Sequence, residues 1–212
     1  MNDIRVAFMD CATCATDLLE RREVAQIWNQ TSALAEFSVA GLAGHLLRGV
    51  STVEIYLDAP EPDGIPQNAP AYYHGLAITS DIASRLNREV RVKGEEAAEM
   101  GAHALGEAAR ALSERLGIRL ADERLDRRLQ VRDGIVISLD DYLRTRIVEL
   151  TIHCDDLAHS IGLANAPEPS ALAGTSAIDT LVELARMRHG DLAVLRALAR
   201  RERDDIGALR VF

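Results

Sequence analysis

Ser138-Leu-Asp-Asp-Tyr-Leu-Arg-Thr-Arg-Ile-Val-Glu-Leu-Thr-Ile-His-Cys-Asp-Asp-Leu157 is the stretch on which the reading of this chain turns. Ser138 with Asp141 three residues later resembles a capping box, and the helix it opens carries Leu143, Ile147, Leu150, Cys154 and Leu157 on one face before Gly162 closes it. Glu149 and His153 lie four residues apart on that helix, so their side chains stand one above the other, about 6 Å apart along the axis. The pair suits shared ligation of a borderline-soft ion such as Zn²⁺, which takes imidazole nitrogen and carboxylate oxygen at about 2.0 to 2.2 Å. Spacing alone leaves a plainer reading open. A Glu four before a His is common on solvated helix faces, and a His beside an apolar stripe is usually a hydrogen-bonded core residue.

Outward from this helix the chain remains mainly α. Ile4, Phe8, Cys11, Ala15 and Leu18 alternate steps of four and three, predicting a first helix from about Asn2 to Ile27. Ser38 reads as the N-cap of a second, over about residues 39 to 57, with Leu42, Leu46, Gly49 and Val53 on its apolar face. His45 sits about 60° from Leu42, at the edge of that face among Gly41, Gly44 and Gly49, which makes it the best third ligand. Pro60, Pro62, Pro66 and Pro70 then forbid regular helix and predict a surface loop. Further helices are expected over about Ala71 to Val90 and over Glu95 to Leu116, the latter ended by Gly117. The one strand signal is Asp133-Gly134 flanked by β-branched residues, a short hairpin. Beyond Pro167 and Pro169 a helical region covers about Ser170 to Arg203.

Composition narrows the function classes. The 212 residues are 48% hydrophobic but only 4% aromatic, which favours one helical core. With 33 acidic residues against 24 Lys plus Arg, and no basic block, nucleic acid is not an expected partner. No apolar run approaches a membrane span and the N-terminus lacks a signal-peptide profile, so a cytoplasmic location without membrane association is expected. Three cysteines are an odd count, consistent with a reducing compartment. Cys11 and Cys14 form a Cys-x-x-Cys pair, yet Cys11 falls on the apolar face of the first helix and reads as core, which argues against a redox sensor built on that pair.

Two segments resemble a known family. Trp28-Asn-Gln-Thr-Ser-Ala-Leu-Ala-Glu-Phe-Ser-Val-Ala-Gly-Leu-Ala-Gly-His45-Leu looks like the N-terminal signature of the mycothiol-dependent maleylpyruvate isomerase-like proteins of the DinB-like superfamily. The stretch from Tyr142 to Leu157 is similar to the family's second motif: an Arg (Arg146), then Glu (Glu149), then His four later (His153), then Asp-Leu (Asp156-Leu157). The resemblance covers about residues 1–165 and implies a DinB-like four-helix bundle, with additional C-terminal helices over 166–212 packed on it and at most a short hairpin. It implies His45, Glu149 and His153 as ligands of one divalent metal, Zn first and Ni or Fe otherwise, with mycothiol or a similar thiol as cofactor. The family's isomerase carries a separate C-terminal domain after the bundle, whereas the residues after Pro169 here read as helices.

The function expected on this basis is isomerisation or S-transfer on a small electrophilic substrate, with a low-molecular-weight thiol. The alternative is a non-catalytic module that binds metal or a small ligand. Arg85 and Arg88 are candidate anchors for substrate carboxylates, because guanidinium binds carboxylate bidentately and the family's isomerase uses an Arg in this general region. Asp156 is a candidate for orienting a ligand imidazole, and Arg146 for pairing with Glu149 or with substrate, each weighed against an ordinary solvated surface charge. Association as a homodimer is expected from the family.

Overall fold

Asn2 starts the first helix by accepting the Arg5 backbone N–H on its side chain, and helix α1 runs Asp3–Leu19. The computed structural model describes residues 1–76, 83–203 and 206–211. Phe8, Cys11, Ala15 and Leu18 are buried as their spacing predicts, while the first helix ends earlier than expected. A turn at Glu20 and Arg21 separates α1 from the short α2 (Arg22–Gln26), whose Val24 returns to the core. Because Val24 keeps the apolar phase, periodicity alone conceals the break.

Ser38 caps α3 (Val39–Asp58): its Oγ accepts the Gly41 N–H at 2.8 Å and donates to Glu95 at 2.7 Å. The proline segment follows as a loop, hooked to the hairpin where the Gln67 N–H donates to the Val136 carbonyl at 2.9 Å. The helix expected over 71 to 90 is in fact two, α4 (Ala69–Gly75) and α5 (Arg85–Ala98), the latter capped by Ser84. Residues 77–82, on which part of that expectation falls, lie outside the described residues. The helix expected over 95 to 116 is also divided. α5 ends at Ala98, Gly101 takes φ +83°, and α6 runs Ala102–Asp122 straight through Gly117. Gly101 makes the stop because a left-handed φ suits glycine, and Met100, expected on an apolar face, is half exposed there.

The hairpin forms as read, with β1 (Arg128–Gln130) antiparallel to β2 (Val136–Ser138) and Leu129 opposite Ile137. Asp133 and Gly134 both adopt positive φ in its turn. Ser138 caps α7 (Leu139–Ser160), Gly162 follows it at φ +72°, and Leu143, Ile147, Leu150, Cys154 and Leu157 are all buried. α8 (Ala171–His189) and α9 (Asp191–Ala199) follow, parted by Gly190. α1, α3, α6 and α7 make a four-helix bundle, α5 lies along α3, and α8 packs against α7, α1 and α4. The fold is thus mainly α, a four-helix bundle with further C-terminal helices and, among the described residues, one short hairpin. Among the described residues no helix is long and apolar enough to cross a membrane.

The contact between α3 and α5 is made backbone to backbone. A Cβ at Gly44 would overlap the Gly94 carbonyl oxygen, and one at Gly94 would lie 2.5 Å from the Gly41 carbonyl oxygen. Neither clash can be relieved by a rotamer change. Gly44→Ala is therefore expected to push the helices apart and cost about 2 kcal/mol, within the range for overpacking. Chemical denaturation would check this, and an unchanged midpoint would show that α5 yields freely.

Candidate metal centre

α3 and α7 face each other in the bundle and bring together the three side chains that the sequence singles out. His45 Nε2 lies 3.3 Å from Glu149 Oε2, and His153 Nε2 lies 3.4 Å from the same oxygen. One ligand atom from each residue falls within 4.8 Å of the other two, and among the described residues this is the group of His, Cys, Asp and Glu side chains so placed. The two imidazoles meet edge to face with ring centroids 4.7 Å apart, and Phe37 borders His45 at 5.9 Å. All three side chains are largely withdrawn from solvent, at 16 to 17% exposure.

These distances test whether a metal fits. Donors about 2.05 Å from a common tetrahedral ion are separated from one another by about 3.3 Å. Both nitrogen-to-oxygen edges of the trio are close to that length. Two imidazole nitrogens and a carboxylate oxygen also make a suitable donor set for Zn²⁺, Ni²⁺ or Fe²⁺. The residues present fit a divalent ion.

Neighbouring groups fix the orientation of the trio. His153 Nδ1 is 2.9 Å from Asp156 Oδ2, which turns Nε2 toward Glu149. The Tyr73 hydroxyl shares its one proton between the Thr145 carbonyl at 2.8 Å and Glu149 Oε1 at 3.2 Å, leaving Oε2 for the histidines. Burial works against charge on His153, but hydrogen bonds to Asp156 and Glu149 outweigh it and raise its pKa to about 9. Burial likewise works against charge on Glu149, yet the two histidines and Arg146 hold its carboxyl well below the usual range. At His45 burial prevails over the Glu149 hydrogen bond, and the imidazole is lowered.

Comparison with known proteins gives the family. The family model described as the mycothiol maleylpyruvate isomerase N-terminal domain matches residues 9–158. The chain belongs to that family. The matched span of the mycothiol maleylpyruvate isomerase N-terminal domain includes α3 and all of α7 but its last two residues, and so all three members of the trio. Among solved structures the chain is similar to the mycothiol-dependent maleylpyruvate isomerase, at 14% identity and a TM-score of 0.51. It is also similar to a histidine-to-alanine mutant of that enzyme, at 14% identity and a TM-score of 0.50. Each match covers 87% of this chain and 72% of the other, and at that identity it establishes the shared fold. A comparison with curated proteins finds no match.

The remaining candidates are dispersed. Arg85 is exposed and pairs with Glu89 at 2.7 Å, and Arg88 donates to the Ala83 carbonyl, so the structure joins neither to the trio. Arg146 does belong to its surroundings. Its guanidinium lies 5.0 Å from the Tyr142 ring centroid, donates from Nε to Thr145 Oγ1 at 3.1 Å, and bears electrostatically on Glu149. Tyr73 was not legible in the sequence, because its partners are on another helix and no spacing announces them. Tyr73→Phe is expected to weaken metal affinity about tenfold, the lower end of the effect of losing a group that orients a ligand. Competition with a chromogenic chelator would measure it, and an unchanged affinity would mean the hydroxyl serves only the Thr145 carbonyl.

Proposed function

We propose that His45, Glu149 and His153 hold one divalent ion, zinc before nickel or iron. In this reading the protein is an enzyme that uses a thiol of the mycothiol type for isomerisation or S-transfer on a small electrophilic substrate. Residues 1–165 would form the metal-binding unit, with 166–212 a helical extension upon it. The observation that carries the reading is the convergence of two Nε2 atoms on one Glu149 oxygen at 3.3 and 3.4 Å. The family assignment supports the choice of thiol.

Three protein ligands leave a coordination position for another group, the arrangement of a catalytic rather than a closed structural site. A bound ion supplies there the Lewis acidity that lowers a thiol's pKa and presents it as a nucleophile. The protein's own residues prepare that position. Asp156 holds the His153 ring and its tautomer through Nδ1, and Tyr73 fixes Glu149 so that one oxygen points to both imidazoles. Arg146 adds a fixed positive charge beside Glu149, offsetting the cost of burying the carboxylate and attracting an anionic substrate. Phe37 limits the access of water at His45.

The test is turnover of the electrophile, because isomerisation returns the thiol and S-transfer consumes it. Metal-loaded protein given mycothiol and either maleylpyruvate or a haloarene should turn over one of them, and a chelated control should not. No difference between the loaded protein and the control would leave a metal- or ligand-binding module without catalysis.

A further inference from the structure

A second site lies roughly a third of a turn around α7 from Glu149 and His153. There α1, α7 and the segment before α8 enclose a cavity of about 490 Å³, lined in part by Cys11, Cys14, Thr151, Cys154 and Pro167. Its rim includes the exposed residues Thr13, Asp17 and Arg21, so it opens to solvent. The chain's three cysteines all face this cavity, and they are not equivalent. Cys11 is buried, with its sulfur 3.7 Å from Thr151 Oγ1. Cys14 is half-buried, and Cys154, which is buried, interacts directly with it across the α1–α7 interface.

We propose that Cys14 is a hydroperoxide-reactive thiol and Cys154 its resolving partner, the two closing a reversible disulfide that ties α1 to α7. The pair is the reverse of what Cys-x-x-Cys spacing invites. Cys11 is buried beside its own hydroxyl neighbour, while the thiol that meets Cys14 comes from a residue 140 positions away, on another helix.

In the first step the Cys14 thiolate attacks one peroxide oxygen. The O–O bond breaks, an S–O bond forms, and the leaving alkoxide or hydroxide takes the proton given up by the Cys14 thiol, so that sulfur is oxidised to a sulfenic acid and peroxide is reduced. In the second step the Cys154 sulfur attacks the sulfenic sulfur. The S–S bond forms, and the sulfenic OH leaves as water with the proton from Cys154. Exposure favours this division of roles, because Cys14 is half-buried at the cavity whereas Cys11 and Cys154 are buried, and the neighbouring Cys154 thiol also holds Cys14 below its ordinary value. Burial pushes Cys11 up to about 11 despite its Thr151 contact. Cys14 therefore carries the larger share of thiolate and is the thiol reached from the cavity mouth, and, with the lower nucleophilicity of a more acidic thiol set against this, it should react on the order of tenfold faster.

The experiment uses the full chain, fully reduced, exposed to hydrogen peroxide with and without dimedone, then digested and mapped by mass spectrometry. Dimedone should label Cys14 about tenfold faster than Cys11. Without dimedone, a linked peptide pair containing Cys14 and Cys154 should appear and be lost on adding dithiothreitol. Cys154→Ala should accumulate dimedone-reactive Cys14, and Cys14→Ala should abolish both the label and the link, with circular dichroism confirming that each variant is folded. Labelling of Cys11 as fast as Cys14, a Cys11–Cys14 link, or no link in the folded wild-type chain would overturn the proposal.

Discussion

Replacing His45 or His153 by alanine is expected to lower affinity for a divalent ion by about two to three orders of magnitude while leaving the helical content intact. The size follows from structural zinc sites, whose four ligands share about 10 to 16 kcal/mol of binding, or roughly 3 to 4 kcal/mol for each ligand. Fold and affinity separate here because neither imidazole is a major part of the apolar core. The bundle is held by residues such as Phe8, Leu42, Leu46, Leu105, Leu116 and Leu143, which are buried elsewhere on α1, α3, α6 and α7. Elemental analysis after exhaustive dialysis, alongside far-UV circular dichroism, would check both halves. Stoichiometric metal retained by both variants would remove His45 and His153 from the site.

Arg5→Ala is expected to be the most damaging single change to the fold, costing about 3 to 5 kcal/mol. Arg5 is 1% exposed, and its guanidinium ties three parts of the chain together. Nη1 donates to the Leu120 carbonyl at 2.9 Å and the Glu123 carbonyl at 2.5 Å, Nη2 to the Arg124 carbonyl at 2.7 Å, and Nε to Asp140 at 3.0 Å. These carbonyls belong to the last turn of α6 and to the two residues after it, where helix geometry supplies no partner. Alanine would leave these carbonyls without their partner and Asp140 with its Asn2 contact alone, and would open a void between α1, α6 and α7. In a chain of this size the loss corresponds to roughly 10 °C or more in melting temperature. A shift of only a degree or two would mean that water replaces the guanidinium at little cost.

The helix that carries Glu149 and His153 was legible because its signals are local. The Ser138 cap, the apolar face from Leu143 to Leu157, and the four-residue step from Glu149 to His153 all lie within one element. His45 was legible as the polar edge of a helix whose small residues, now seen to be pressed against α5, pointed to close packing. The breaks after Leu19 and Ala98 were not legible. Val24 preserves the helical phase across the first, and at the second Gly101 and Gly117 looked alike in sequence although only Gly101 adopts a positive φ. Arg5, Tyr73 and the Cys14–Cys154 contact were hidden for a different reason. Each owes its surroundings to residues about 70 to 140 positions away, and no local pattern encodes that.

X-ray absorption at the zinc edge of the zinc-loaded protein, reduced with a phosphine rather than a thiol, tests the metal assignment most directly. The expected result is a first shell of nitrogen and oxygen at about 2.0 to 2.1 Å with imidazole scattering beyond it, and a single sulfur at about 2.3 Å only after mycothiol is added. Sulfur in the first shell before any thiol is added would place the ion at the cysteines instead of at His45, Glu149 and His153, and would contradict the account.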